Sequence, residues 1–241
     1  MTWHAKPSGG YSYNSSEGRD NIYEMASTMS GATLEAQAAV IANSFHEGGL
    51  NPWRWQGDVY GLSRGYGLFQ FTPASGYINS SWPTKAPNLS TTSITAGADP
   101  SDGQAQCEVM ATDYLGKWVS SCWRSYWSQT TYNDLYAYRG EVLRRWGSGS
   151  SISLAQFFQC QDLDAATFIF LACFEGPAIP NFDVRKSTAA KIYEILGGII
   201  PDPPTPPVPP TPPVGSGIPF WFLKKIERKN NTMVKFDLKS Q

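Results

Sequence analysis

Residues 201–213 hold nine prolines in thirteen positions, half of the 18 in the chain. Each proline fixes its own φ and removes a backbone donor, so no helix or sheet can run through them. The stretch favours extended polyproline II. At about 3.1 Å per residue it makes a semi-rigid spacer of roughly 40 Å. It therefore divides the chain of 241 residues into a folded part, 1–200, a linker, 201–217, and a tail, 218–241. Val214-Gly215-Ser216-Gly217 supplies a flexible joint at the linker's end. The tail opens on Pro219-Phe220-Trp221-Phe222-Leu223. It then sets Lys224, Lys225, Arg228, Lys229, Lys235 and Lys239 against Glu227 and Asp237. A short aromatic cluster with no long amphipathic helix suits docking to an assembly better than lying on a membrane. The plainer reading is a solvated end.

Two hundred residues suffice to bury a hydrophobic core without staples. Hydrophobic residues at 41% and aromatics at 14% argue against general disorder. The formal net charge is −1, whereas a general nucleic-acid binder is usually basic. The longest apolar run, Phe168 to Phe174, is too short to span a bilayer, so no stable membrane insertion is expected. The N-terminus, Met-Thr-Trp-His-Ala-Lys, carries no apolar signal-peptide core. Export, if it occurs, is then expected by another route. Cys107, Cys122, Cys160 and Cys173 form no CxxC pair and allow three pairings. Bridges and free thiols both remain open.

The folded part reads as mostly helical. Ile22, Met25, Ala26 and Met29 follow helical spacing after Ser16 as a candidate cap. Leu34, Ala38, Ile41, Ala42 and Phe45 do the same, with Thr33 as N-cap and Gly48-Gly49 as the stop. Cys107, Met110, Ala111, Tyr114, Leu115 and Trp118 predict a long helix. Leu135, Tyr138, Val142, Leu143 and Trp146 predict another. Shorter helices are expected near 153–161, 164–174 and 187–196. Between Gly48 and Asp102 the chain is rich in Gly, Pro, Ser and Thr, which reads as loops with a short hairpin.

Chemistry centres on His46-Glu47. A zinc protease helix needs HExxH, and residue 50 is Leu. His4 is the other histidine, which also weakens a Cys/His or Ser/His/Asp hydrolase. No P-loop or dinucleotide fingerprint appears, and no metal or organic cofactor is implied. Glu47 itself falls at the C-terminal end of a predicted helix, where the dipole disfavours an anion. Phe45, Leu50, Trp53 and Trp55 flank it and can desolvate it. A carboxyl kept protonated is what glycoside cleavage needs to protonate the leaving oxygen. An ordinary surface glutamate near a helix end is the competing reading. Downstream, Gly65-Tyr66-Gly67-Leu68-Phe69-Gln70-Phe71-Thr72-Pro73 reads as a short strand or extended wall.

Taken together, SFHEGGLNPW and GYGLFQFTP resemble the phage tail lysozyme family. ATFIFLACFEGPAIP resembles the family's closing Phe-Glu-x-Pro element through Phe174, Glu175 and Pro177. The resemblance spans about residues 16–197. It implies a mainly α, α+β lysozyme-like domain whose short loop or hairpin lines a cleft. It implies a phage tail-associated muramidase that cuts the peptidoglycan glycan strand during genome entry, acting from the virion. Other phage tail proteins would hold it through residues 201–241. Glu47 is then the general acid, with Gln70, Tyr66 and Phe71 along the cleft. Trp53 and Trp55, nearest Glu47, are candidate sugar-stacking residues. Asp58, in a loop, is the candidate second carboxylate, with Glu175 as runner-up. Gly176 departs from the arginine that members often carry, which puts an ion pair at that position in doubt. Lytic transglycosylases share the Glu and Gly-Leu-x-Gln logic and are the neighbouring class. An endolysin, or a non-enzymatic tail-tip or glycan-binding protein, would also fit the same motifs.

Overall fold

The computed structural model describes residues 3–6, 8–75 and 102–198. The linker and tail lie outside the described residues, as does part of the loop segment between Gly48 and Asp102.

Among the described residues there are seven α-helices: α1 (Ser16–Thr28), α2 (Leu34–Gly48), α3 (Asp102–Ala111), α4 (Asn133–Trp146), α5 (Leu154–Phe158), α6 (Leu163–Phe170) and α7 (Phe182–Ile195). A π-helical turn, Leu171–Glu175, continues α6. Within the described residues the β structure amounts to isolated bridges, Trp55 with Tyr66, Tyr66 with Phe71, and Ser148 with Ser151. The domain is thus mainly α.

Caps set most of the helix starts. Ser15, one residue before the expected Ser16, accepts from Gly18 N–H and starts α1. Thr33 accepts from Ala36 N–H and starts α2, and Gly49 ends it in the left-handed region at φ 63°. Ser153 and Gln156 form a reciprocal capping box at α5, and Asp162 caps α6. α3 stops at Ala111 rather than running to Trp118. Asp113 and Gly116 take positive φ (46° and 61°), so the apolar stripe continues as loop. Trp118 there donates its indole N–H to Ile152 O at 2.7 Å. α7 begins at Phe182, five residues before the expected start near 187, and Asn181 turns the chain into it at φ 47°.

α2 is the central helix. It packs most extensively on α7 and α6, while α1 packs on α3 and α2. Its small residues permit this: Ala36, Ala38, Ala39 and Ala42 are fully buried beside Val40 and Ile41. α6 is buried from Ala165 to Phe170, which explains its uninterrupted apolar sequence. Phe69, Phe157, Phe168, Phe170 and Phe174 fill the same core.

The cysteines resolve as one bridge, Cys122–Cys173, closing a separation of 51 residues. Cys107 and Cys160 are free and buried. Burial pushes both thiols up to about 12, so they stay protonated and inert. No group of His, Cys, Asp and Glu suited to a metal ion occurs among the described residues. No helix there is long and apolar enough to cross a membrane.

Candidate active site

Glu47 sits in the last turn of α2, directly before the glycine pair that ends it. Both glycines are close-approach points. A Cβ on Gly48 would run into Gly67 O and lie 2.7 Å from Leu68 Cα. A Cβ on Gly49 would lie 2.7 Å from Gly10 Cα. The helix end therefore abuts the backbone of the 65–71 segment on one side and the N-terminal arm on the other. That contact seats the C-terminal turn of α2, which carries Glu47, against the glycine-rich turn.

An ion pair fixes the carboxylate. Arg185 Nη2 donates to Glu47 Oε1 at 2.6 Å, with the arginine side chain 5% exposed and the glutamate 21%. The rest of the guanidinium is also occupied. Nη1 donates to Asn43 Oδ1 at 2.9 Å, and Nε to Pro180 O at 3.2 Å. Asn43 and Glu47 are four residues apart, hence on one face of α2. Arg185 is on α7, and the early start of α7 is what brings it here. No local sequence signal ties a residue 138 positions away to Glu47. His46 faces α7 as well, with Nε2 2.9 Å from Thr188 Oγ1. Burial, then the Arg185 cation, lowers its affinity for a proton, so this neutral ring is an interhelical tie.

The 50–75 segment packs against this end of α2. Asn51 is fully buried and organises it: its Nδ2 donates to Lys6 O and Gly9 O, both at 2.8 Å. Its Oδ1 accepts from Trp53 N–H at 3.1 Å. Gln106 of α3, also buried, accepts from Leu68 N–H at 2.6 Å and donates to Pro52 O at 2.8 Å. It thereby staples the Gly67-Leu68 turn to the Asn-Pro turn. Gln70 takes a positive φ of 44°, and its Nε2 donates to Gly67 O at 2.9 Å and Arg54 O at 3.2 Å. A non-glycine residue held there is a strained position of the sort found at binding sites.

The aromatic candidates separate by burial. Trp55 and Tyr66 are 3% and 1% exposed, with ring centroids 4.7 Å apart in a small cluster of their own. Phe71 is fully buried in the main core. These three rings are packed inside the fold. Trp53 is half-buried, and Gln70 likewise keeps part of its surface. Asp58 is exposed in the 56–58 turn. Its Oδ1 accepts from Gly9 N–H at 2.8 Å and pairs with Arg54 Nε at 3.3 Å. Its carboxylate fastens the arm and loop together.

Glu175 stands in a different setting. The turn that carries it is strapped down by residues 119–127. Val119 N–H donates to Cys173 O at 2.7 Å, Arg124 Nη2 to Phe174 O at 2.7 Å, and Trp127 Nε1 to Pro177 O at 2.8 Å. Tyr126 OH donates to Gly176 O, and the Cys122–Cys173 bridge closes the same contact. Glu175 Oε1 is buried with no hydrogen-bond partner. Burial, then the neighbouring Glu47 charge, raises its carboxyl to about 8, against the opposing pull of Lys117, Arg185 and Arg124. Its surroundings thus favour the neutral form. Lys117 Nζ lies 5.1 Å from the ring centroids of both Phe71 and Phe174, and burial lowers its own affinity for a proton. At Gly176, φ is 57° and a Cβ would run into Arg124 Nε. A guanidinium from the strap thus occupies the space beside the residue where the sequence lacks one.

The mainly helical domain thus carries Glu47 at the end of its central helix, beside a glycine-rich turn. A family model described as phage tail lysozyme matches residues 18–196, and the chain belongs to that family. No curated protein matches it. Membership supports a glycosidase-type activity directed at peptidoglycan.

Proposed function

We propose that the chain is a muramidase carried in the phage tail, where it opens the host cell wall during genome entry. The observation that carries this reading is the placement of Glu47 in the last turn of α2, held by Arg185, beside the helix end that abuts the Gly67-Leu68 turn. Glu47 delivers a proton to the glycosidic oxygen between N-acetylmuramic acid and N-acetylglucosamine. The bond to the anomeric carbon breaks, and water adds to the oxocarbenium-like centre. Gln70 and Trp53 keep accessible surface on the 50–75 segment and serve as the sugar contacts. Trp55, Tyr66 and Phe71 hold that segment in shape. Asp58 is the expected second carboxylate, yet its oxygen is committed to Gly9 and Arg54. We therefore favour attack by water without its help.

Digestion of purified peptidoglycan, with products resolved by mass spectrometry, tests this reading. New reducing muramic-acid ends are expected. Anhydro-muramic ends would assign the chain to the transglycosylases, and no fragments from several wall types would leave a structural or glycan-binding role. The proline run and basic tail are assigned to docking on other tail proteins. Deleting residues 201–241 is expected to abolish incorporation into virions while leaving wall digestion intact. Unchanged incorporation would overturn the docking assignment.

A further inference from the structure

The first turns of α4 and α7, with Asp164 of α6, line a cleft of about 480 Å³. Small-ligand clefts run from about 300 to 1,000 Å³. None of its lining residues comes from the end of α2 or from the 50–75 segment. Part of the lining is apolar and fixed in place. The Tyr138 and Phe182 rings have centroids 5.6 Å apart, and both also pack on the buried Phe168. Ile179, on the turn before α7, adds an apolar side chain that is 62% exposed.

The polar part of the lining is little used by the fold. Asn181 turns the chain into α7 at φ 47°, yet its side chain does not cap that helix. Asp134, in the first turn of α4, forms no ion pair among the described residues. Asp164 and Asp183 share Lys186, at 3.7 and 3.3 Å. The two carboxylates that converge therefore already hold an ammonium, which leaves little call for a cationic ligand. Three carboxylates against one lysine also disfavour an anion. A neutral ligand with an apolar face and many hydroxyls meets both conditions.

We propose that this cleft binds an N-acetylated saccharide, a glycan contact apart from the residues around Glu47. The proposal rests on the reading of the chain as an enzyme of the peptidoglycan glycan strand. The apolar face of a sugar ring suits the aromatic lining. Its hydroxyls donate to Asp134, Asp164 and Asp183, since an ionised carboxylate only accepts and such bonds are charge-assisted. The acetamido group suits the Asn181 amide, which offers both a donor and an acceptor, and its methyl suits Ile179. The cleft is also tied to the candidate acid. Pro180, in its lining, accepts from Arg185 Nε at 3.2 Å, and Arg185 holds Glu47 at 2.6 Å. A strand held in the cleft stays on the domain between cuts.

Titration of full-length, ¹⁵N-labelled Glu47→Gln protein with chitotetraose, the β-1,4-linked tetramer of N-acetylglucosamine, reads the site without turnover. Saturable amide shifts are expected across 131–138 and 179–186, separate from any in 50–75. Cellotetraose, which lacks the acetamido groups, is expected to bind more weakly, and equal binding would overturn the assignment to an N-acetylated sugar. Asp134→Ala removes an acceptor, and Ile179→Asp removes the exposed apolar side chain. Both positions are exposed, so neither change opens the core. Each is expected to weaken binding at the cleft by about tenfold, with any shifts in 50–75 keeping their midpoint.

No saturable shifts in 131–138 and 179–186 would overturn the site. So would shifts there from a peptidoglycan stem peptide alone and none from the saccharide. Saccharide binding in the cleft of a protein whose wild type releases no wall fragments would leave the site standing and remove the muramidase reading. Wall fragments from wild type with a silent cleft would do the reverse.

Discussion

Replacing Glu47 by glutamine is expected to slow peptidoglycan cleavage by about 10²–10⁴-fold, the range general acid catalysis supplies. The substitution removes the proton and little else. A glutamine oxygen can still accept from Arg185 Nη2, so the buried guanidinium keeps an acceptor where Glu47 Oε1 stood. Asn43 and Pro180 continue to hold its other nitrogens. The close approach of Gly48 to Gly67 and Leu68 involves no carboxyl atom. The melting temperature is accordingly expected to stay within about 2–4 °C, equivalent to about 1 kcal/mol for a domain of this size. Glycan binding should survive, because the packing of residues 50–75 does not depend on the charge. Cleavage at the wild-type rate by a folded Glu47→Gln protein would place the chemistry elsewhere.

The helical frame is legible in the sequence because its signals are local. Thr33 and the Gly48-Gly49 pair mark both ends of α2, and the periodic stripe of α4 matches its observed span. Local signals also explain the errors. The stripe from Cys107 to Trp118 keeps its apolar spacing past Ala111, but spacing does not register the turn at Asp113 that takes the chain out of the helix. Aromatic residues beside Glu47 suit cleft and core equally well by sequence. Burial decides between them, and burial is a tertiary quantity. Trp55 and Tyr66 bury each other, and Phe71 joins the main core. Glu47 is readable from its place at a helix end. Its partner is not, because Arg185 arrives from α7, 138 residues away.

The disulfide illustrates the same limit. Four cysteines allow three pairings and offer no means of choosing. The choice follows from the strap, which runs alongside the turn after α6 and sets Cys122 against Cys173. Bridge and hydrogen bonds act together to hold the strap on the turn that carries Glu175.

Arg185→Met is expected to produce the largest loss of stability among substitutions at the site, about 3 kcal/mol. The methionine chain can fill most of the space left by the arginine stem. It cannot donate to any of the three acceptors that converge there. Asn43 Oδ1 and Pro180 O lose their guanidinium partners, and an unpaired buried polar group costs about 1–3 kcal/mol. Breaking a fully buried ion pair costs about 3–5 kcal/mol. Glu47 is 21% exposed, so water can solvate part of its charge, which places the expected value at the low end of that range. At about 2–4 °C per kcal/mol the melting temperature should fall by about 6–12 °C. Lysine should rescue little of this, because one ammonium on a flexible stem cannot match the fork that reaches Glu47, Asn43 and Pro180 together. A thermal denaturation series over wild type, Arg185→Met, Arg185→Lys and Glu47→Gln separates the two roles. Stability should follow the arginine and the rate should follow the glutamate. An Arg185→Met protein that melts with wild type would mean that the ion pair contributes no net stability.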